Sequence, residues 1–163
     1  MSIRFSADEI LEMAERIERN GAKFYRLAAK IVKDYGGRQV LLELAAMEDR
    51  HQETFASMRA ELGDSEKEAA VFDPASETTL YLGAMADGYV FDQKADPSEE
   101  LNTQVNSRDI LLKAIGREKD AIVFFVGLKD FVGVKADKGK VEAIIKEEMG
   151  HIMLLNNQLA RLE

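Results

Sequence analysis

Apolar side chains recur every three to four residues in four stretches of the chain, the spacing that lines one face of an α-helix. The first face reads Leu11, Ala14, Glu18, Gly21, Tyr25, Ala28, Val32, and the second Leu41, Leu44, Glu48, His51, Phe55, Met58, Leu62. The third reads Leu111, Ala114, Glu118, Ala121, Phe125, Leu128, Val132, and the fourth Val141, Ile144, Glu148, His151, Leu155, Gln158, Leu162. Punctuation residues set the expected limits. Ser6 and Glu9 form a capping box, Gly36-Gly37 and Gly63 are helix stops, Ser107 is a good cap, and Gly133 follows the third face. The pattern predicts helices over about 6–35, 38–62, 107–132 and 137–162, each roughly 40 Å long at 1.5 Å per residue. The turns after the first and third are short, so each pair is expected to form an antiparallel hairpin.

Residues 63–106 read differently. They hold both prolines, Pro74 and Pro97, and an acidic start, Asp64-Ser65-Glu66-Lys67-Glu68. This is the expected long crossover between the hairpins, with a short helix over 78–90 interrupted by Gly83 and Gly88. The fold class is therefore all-α, a four-helix bundle of two hairpins joined by one long connection. The hairpins also align at an offset of 100 residues. Phe24-Tyr25 falls on Phe124-Phe125, Leu44 on Ile144, and Glu48 and His51 on Glu148 and His151. A hairpin packed on its own copy predicts a pseudo-twofold bundle.

Four of the interruptions in these faces are carboxylates. Glu18 and Glu118 stand alone, while Glu48 and Glu148 are each followed three residues on by a histidine, on the same side of the helix. Four Glu and two His thus point at one another near mid-bundle. An uncompensated buried carboxylate costs several kcal/mol, and no Lys or Arg interrupts these faces. Two divalent cations would balance four carboxylates, and both histidines could bind as neutral imidazole. The alternative is protonation of several Glu at a large shift in pKa. Carboxylate and imidazole suit iron or manganese, and zinc could substitute; no thiolate is present to select zinc or copper.

Composition narrows the classes further. The chain has 163 residues, 46% hydrophobic and 32% charged, which is neither a disordered nor a membrane composition. A net charge of -8 argues against nucleic acid as a partner. No apolar run reaches the roughly 18 residues of a membrane span. The absence of cysteine excludes disulfides, iron–sulfur clusters and cysteine catalysis. The start, Met-Ser-Ile-Arg-Phe-Ser, has no signal-peptide core, so the expected location is the cytoplasm.

One Glu from each of two helices plus Glu-x-x-His from each of the other two matches the known ligand pattern of ferritin-like di-iron carboxylate bundles. Three segments carry the resemblance further: Ile17-Glu18-Arg19-Asn20-Gly21-Ala22-Lys23-Phe24-Tyr25, Arg117-Glu118-Lys119-Asp120-Ala121-Ile122-Val123-Phe124-Phe125, and Ile145-Lys146-Glu147-Glu148-Met149-Gly150-His151. They resemble the helices of rubrerythrin-like proteins over nearly the whole chain apart from part of the crossover. The resemblance implies Glu48 and Glu148 as metal-bridging carboxylates, Glu18 and Glu118 as terminal ones, and His51 and His151 as one nitrogen ligand for each of two irons. It implies two-electron reduction of hydrogen peroxide or dioxygen, coupled to Fe(II) oxidation. The alternatives are a ferroxidase or iron-storage protein, an oxygenase acting on an organic substrate, or a non-enzymatic metal-binding bundle.

Three departures qualify the resemblance. Rubrerythrins usually add a cysteine-ligated rubredoxin domain; without cysteine, electrons are expected from an external donor such as a rubredoxin. Rubrerythrins carry an extra Glu one turn after the third-helix ligand, where this chain has Ala121 and, at the matching position, Gly21. The site thereby resembles the symmetric one of bacterioferritin, and peroxidase activity is less strongly implied. Bacterioferritins place a haem-binding Met directly after the second-helix Glu; Asp49 stands there, so no haem is expected.

Two neighbours of the ligands complete the reading. Tyr25, seven residues after Glu18, is expected to bond a ligand carboxylate or serve as a redox-active phenol; otherwise it is a core aromatic, as Phe125 must be. Glu147 is expected to orient a histidine, most plausibly His51 across the bundle, unless it is an ordinary solvated Glu. Its counterpart Met47 cannot do the same, so the two metals would be inequivalent. Met13, Met47, Met58, Met85, Met149 and Met153 read as core filler. The apolar stretch Leu80–Phe91 is expected to cap the bundle or to pack on a second subunit in a homodimer.

Overall fold

The computed structural model describes residues 5–64, 67, 80, 81, 84, 96–101, 105–132 and 135–162. Among these residues the chain forms five helices: α1 (Ala7–Ile31), α2 (Tyr35–Ala60), α3 (Pro97–Glu100), α4 (Ser107–Phe131) and α5 (Lys135–Ala160). α1 packs along α2 and α4 along α5, as two hairpins; across the bundle α1 meets α4 and α2 meets α5. The all-α four-helix architecture expected from the four faces is the one observed.

The helix ends show which local signals won. The capping box at α1 is complete, with Glu9 N–H donating to Ser6 Oγ at 3.2 Å and Ser6 N–H to Glu9 Oε2 at 2.8 Å. α1 ends at Ile31, not near Tyr35, because Val32 turns extended and donates its N–H back to Ala28 O. Asp34 then caps α2 by accepting from Gly37 N–H at 2.6 Å. Gly36-Gly37 therefore lie inside the first turn of α2 and are not a stop. At Gly37 a Cβ would stand 3.3 Å from both Asp34 Oδ2 and Val32 Cγ1, so the tight corner, not helix termination, needs the glycine.

The end of α4 repeats the end of α1, 100 residues on. Val132 is extended and donates to Leu128 O, as Val32 does to Ala28 O. At the start of α4 the cap is Asn106, whose Oδ1 accepts from Asp109 N–H at 2.9 Å; Ser107 is already helical. α5 begins and ends about two residues earlier than its apolar face suggested, which leaves Leu162 in a turn and half exposed.

The helix expected over 78–90 lies outside the described residues apart from positions 80, 81 and 84. A different element, α3, occupies the end of the crossover. Asp96 caps it, accepting from Ser98 N–H at 2.9 Å, and Pro97 opens it, the position where a missing N–H costs nothing. Lys23 of α1 reaches Asp96 Oδ1 at 2.7 Å, and Tyr81 donates its hydroxyl to Val123 O of α4 at 2.6 Å.

The core is divided in two. One cluster gathers Leu11, Ala14, Phe55, Phe125, Leu128 and Ile144; the other gathers Tyr25, Ala28, Leu41, Leu44, Leu111 and Leu155. On every long helix the ligand-type residues fall between the residues given to these two clusters. A polar layer is thus sealed by apolar packing toward both ends of the bundle. Of the methionines, Met58 is fully buried, and Met13 and Met47 are partly so. Met149 and Met153 are at least half exposed and are not core filler, because they sit off the α5 stripe; Met85 lies outside the described residues.

Candidate metal centre

Glu18, Glu48, His51, Glu118, Glu148 and His151 converge in the polar layer, and none is more than 4% exposed. Ligand-type atoms form two groups, each confined within 4.8 Å. One comprises Glu18, Glu48, His51 and Glu148; the other comprises Glu48, Glu118, Glu148 and His151. Glu48 and Glu148 belong to both. Both histidines turn Nδ1 inward. His51 Nδ1 lies 2.7 Å from Glu148 Oε1 and 3.6 Å from Glu18 Oε2. His151 Nδ1 lies 3.0 Å from Glu148 Oε2, 3.1 Å from Glu48 Oε1 and 3.4 Å from Glu118 Oε1. The two rings stack with centroids 5.6 Å apart.

These close approaches are not hydrogen bonds. Both oxygens of Glu18 and of Glu148, Oε1 of Glu48, Nδ1 of His51 and both ring nitrogens of His151 are buried without a hydrogen-bond partner. Native proteins rarely leave such groups unsatisfied, since each costs about 1–3 kcal/mol and more when charged. The lone pairs face shared points instead of donors, which is how a ligand set looks toward a cation. Hard oxygen and imidazole nitrogen, without sulfur, fit iron or manganese.

The electrostatics express the same conflict. Burial first, then the neighbouring carboxylate charges, push Glu18 and Glu48 well above the usual range. Burial and the proximity of Glu148 raise Glu118 to about 8. Burial opposes charge on His151, but Glu118, Glu148 and Glu48 around its ring outweigh it and raise the group to about 12. His51 moves the same way, burial again being outweighed, here chiefly by Glu148 and then Glu147. Burial also pushes Glu148 upward, yet its contacts with Glu118 and both histidines hold it below its ordinary value.

Two further side chains touch the six. Tyr25 donates its hydroxyl to Glu118 Oε1. Burial and the adjacent carboxylates keep the phenol protonated, well above its usual pKa. His51 Nε2 meets Glu147 Oε2 at 2.8 Å, where the half-exposed carboxylate can accept the ring N–H.

Sequence reasoning missed the function of Gly21. A Cβ there would stand 3.0 Å from Glu48 Oε2 and 3.3 Å from its Cδ, so the bare backbone is what makes room for that carboxylate. It also missed a cavity of about 20 Å³ between α1, α2 and α4, lined by Ile17, Gly21, Tyr25, Glu48, Glu118 and their neighbours. That volume holds about one water molecule. The small residues at 21 and 121 were the available signal.

The rubrerythrin family model matches residues 9–159. The chain belongs to the rubrerythrin family. Among solved structures it is similar to a crystal structure described as a candidate ferritin-like diiron-carboxylate protein from Thermotoga maritima, with a TM-score of 0.77 and 26% identity, covering 98% of both chains. No curated protein matches it. That similar structure is described as a diiron-carboxylate protein, and the chain carries a buried Glu/His cluster between the two halves of its core. The 163 residues contain no cysteine to hold a rubredoxin-type iron. No helix among the described residues is long and apolar enough to cross a membrane.

Proposed function

We propose that this rubrerythrin-family chain holds two iron ions, with manganese able to replace either or both, and reduces hydrogen peroxide or dioxygen. The ligands are Glu18 and His51 at one position, Glu118 and His151 at the other, and Glu48 and Glu148 shared by both. One observation carries the reading: the six side chains are sealed from solvent, unpartnered, and fall into two overlapping groups that share two carboxylates. Two ferrous ions held by these residues would supply the two electrons that one O–O unit requires. Peroxide takes up those two electrons and two protons and leaves as two waters. An external donor such as a rubredoxin restores the electrons.

The chain's own residues then have definite tasks. The two apolar clusters keep bulk water out of the layer, which strengthens every charge interaction inside it. Glu48 and Glu148 balance charge between the positions. Tyr25 holds Glu118 through its phenolic proton, close to the cavity where a small oxidant would enter. A cavity of about 20 Å³ favours a small oxidant over an organic substrate.

The test is elemental analysis of protein purified without chelator or added metal, beside the Glu148→Ala/His151→Ala double variant. About two iron or manganese ions per chain, lost in the variant, is the expected result. Anaerobic Fe(II) protein should then consume about one peroxide per pair of irons. Folded protein that takes up no Fe(II) overturns the metal reading. Fe(II) protein inert to both oxidants overturns the activity.

A further inference from the structure

The sequence repeat makes the two halves of the centre directly comparable, and three independent features separate them. The first lies behind the histidines. His51 Nε2 meets the Glu147 carboxylate at 2.8 Å, whereas the residue matching Glu147 in the other half is Met47 and His151 Nε2 is buried with no hydrogen-bond partner. A carboxylate accepting the outer N–H fixes the tautomer, aims the Nδ1 lone pair inward and makes it a stronger donor. The second lies on the terminal glutamates. Glu118 Oε1 already accepts the Tyr25 hydroxyl, while Glu18, opposite Phe125 in the repeat, keeps both oxygens unpartnered. A phenolic O–H draws off charge that a cation would otherwise use. The third is access. The cavity is lined by Glu118, Tyr25 and the shared Glu48, but by neither Glu18 nor either histidine.

All three point the same way. We infer that the centre is built from one tight, resident metal position at Glu18–His51 and one weaker, exchangeable position at Glu118–His151 beside the cavity, filled in that order. This rests on the two-metal reading above. Glu147 is a positioning residue, acting through His51, and Tyr25 attenuates Glu118. The exchangeable position is then the one that small molecules from the cavity reach first.

The experiment uses Mn(II) alone, added to full-length metal-free protein. Calorimetry should resolve two steps. At one equivalent the electron paramagnetic resonance spectrum should be that of isolated Mn(II), giving way to a coupled pair at two. Anomalous diffraction from crystals at one equivalent should place the ion at Glu18–His51. Glu147→Met should weaken the first step about tenfold to a hundredfold. Glu147→Gln, which keeps an acceptor but not the charge, should weaken it less. Tyr25→Phe should tighten the second step and narrow the gap. Circular dichroism checks that each variant is folded; Glu147 is half exposed, and the Gln variant guards against a folding defect in the Met one. Two equal steps, a first ion at Glu118–His151, or a first step indifferent to both Glu147 variants overturns the inference and leaves the two-metal reading standing. Protein that binds neither Mn(II) nor Fe(II) overturns both.

Discussion

The two hairpins offer the same ligand-type residues at matching positions and differ in three of the side chains placed around them. Glu18, Glu48 and His51 have counterparts in Glu118, Glu148 and His151. Yet Tyr25 faces a carboxylate where the repeat has Phe125, Glu147 faces a histidine where it has Met47, and Gly21 yields to Glu48 where it has Ala121. The difference teaches that charge balance constrains the inner residues and little else. On the two-metal proposal, four carboxylates balance two dications whichever hairpin supplies them, so that set keeps its symmetry. The surrounding contacts only tune donor strength and access, and they are where one half can come to do something different from the other.

The sharpest way to break the comparison is to remove a shared carboxylate and compare it with an unshared one. Glu48→Ala and Glu148→Ala should each abolish uptake of both metals, whereas Glu18→Ala and Glu118→Ala should each leave about one per chain, read by elemental analysis after Mn(II) loading and desalting. If removing Glu48 costs one ion only, it is not shared. The metal-free proteins should rank in the opposite sense. Burial pushes Glu48 well above its usual range, so deleting it removes a buried group with no partner for its Oε1. Metal-free Glu48→Ala should therefore melt no lower than the metal-free parent.

A smaller effect separates the halves at their small residues. Alanine is a better helix former than glycine by about 1 kcal/mol, so Gly21→Ala should by itself stabilise α1. Its Cβ, however, would stand 3.0 Å from Glu48 Oε2 and force that carboxylate to move. Metal affinity should fall about tenfold while metal-free stability does not drop. Ala121→Gly in the other half removes a methyl from the core and should do the reverse, lowering stability with little change in affinity. Equal effects of the two substitutions on Mn(II) affinity would mean that Gly21 is not what seats Glu48.

Which of these features could be read from the chain follows from their range. The four helices were legible because the apolar stripe from Leu11 to Val32 and its three counterparts is a long, periodic signal. The convergence of Glu18, Glu48, His51, Glu118, Glu148 and His151 was legible because each interrupts a stripe at the same height. The corners were less so. Gly36-Gly37 resembles a stop, and only the Asp34 side chain, bonded to Gly37 N–H, shows that α2 has already begun. Ser107 is a good cap residue that lost to its neighbour Asn106. α3 went unseen, although Asp96-Pro97 is a cap followed by an N-terminal proline. Met149 and Met153 show the converse error, since apolar character alone does not place a residue on the stripe. The seat that Gly21 gives Glu48 depends on how closely α1 approaches α2, which no pattern within one helix encodes.

The smallest test concerns how the crossover is tied to each half. Lys23 and Val123 occupy matching positions of the repeat, and the crossover touches both: Asp96 through the Lys23 ammonium, Tyr81 through the Val123 carbonyl. The first tie is ionic and the second neutral, so pH should tell them apart. Lys23, with help from the Ser98 N–H and hydroxyl, holds Asp96 down from 3.8 to about 2. A depressed carboxylate stabilises the fold above its unfolded pKa and loses that contribution as pH falls through the folded one. The stability difference between wild type and Lys23→Met, taken from urea midpoints of metal-free protein, should be constant above about pH 4 and shrink from pH 3.8 toward 2. It should also shrink with added salt, because both partners are about half exposed. The corresponding difference for Tyr81→Phe should not change across that window, since burial only raises a phenol that is already neutral there. A Lys23→Met difference indifferent to both pH and salt would mean that the stem of Lys23, packed against the chain, holds the crossover instead of its charge.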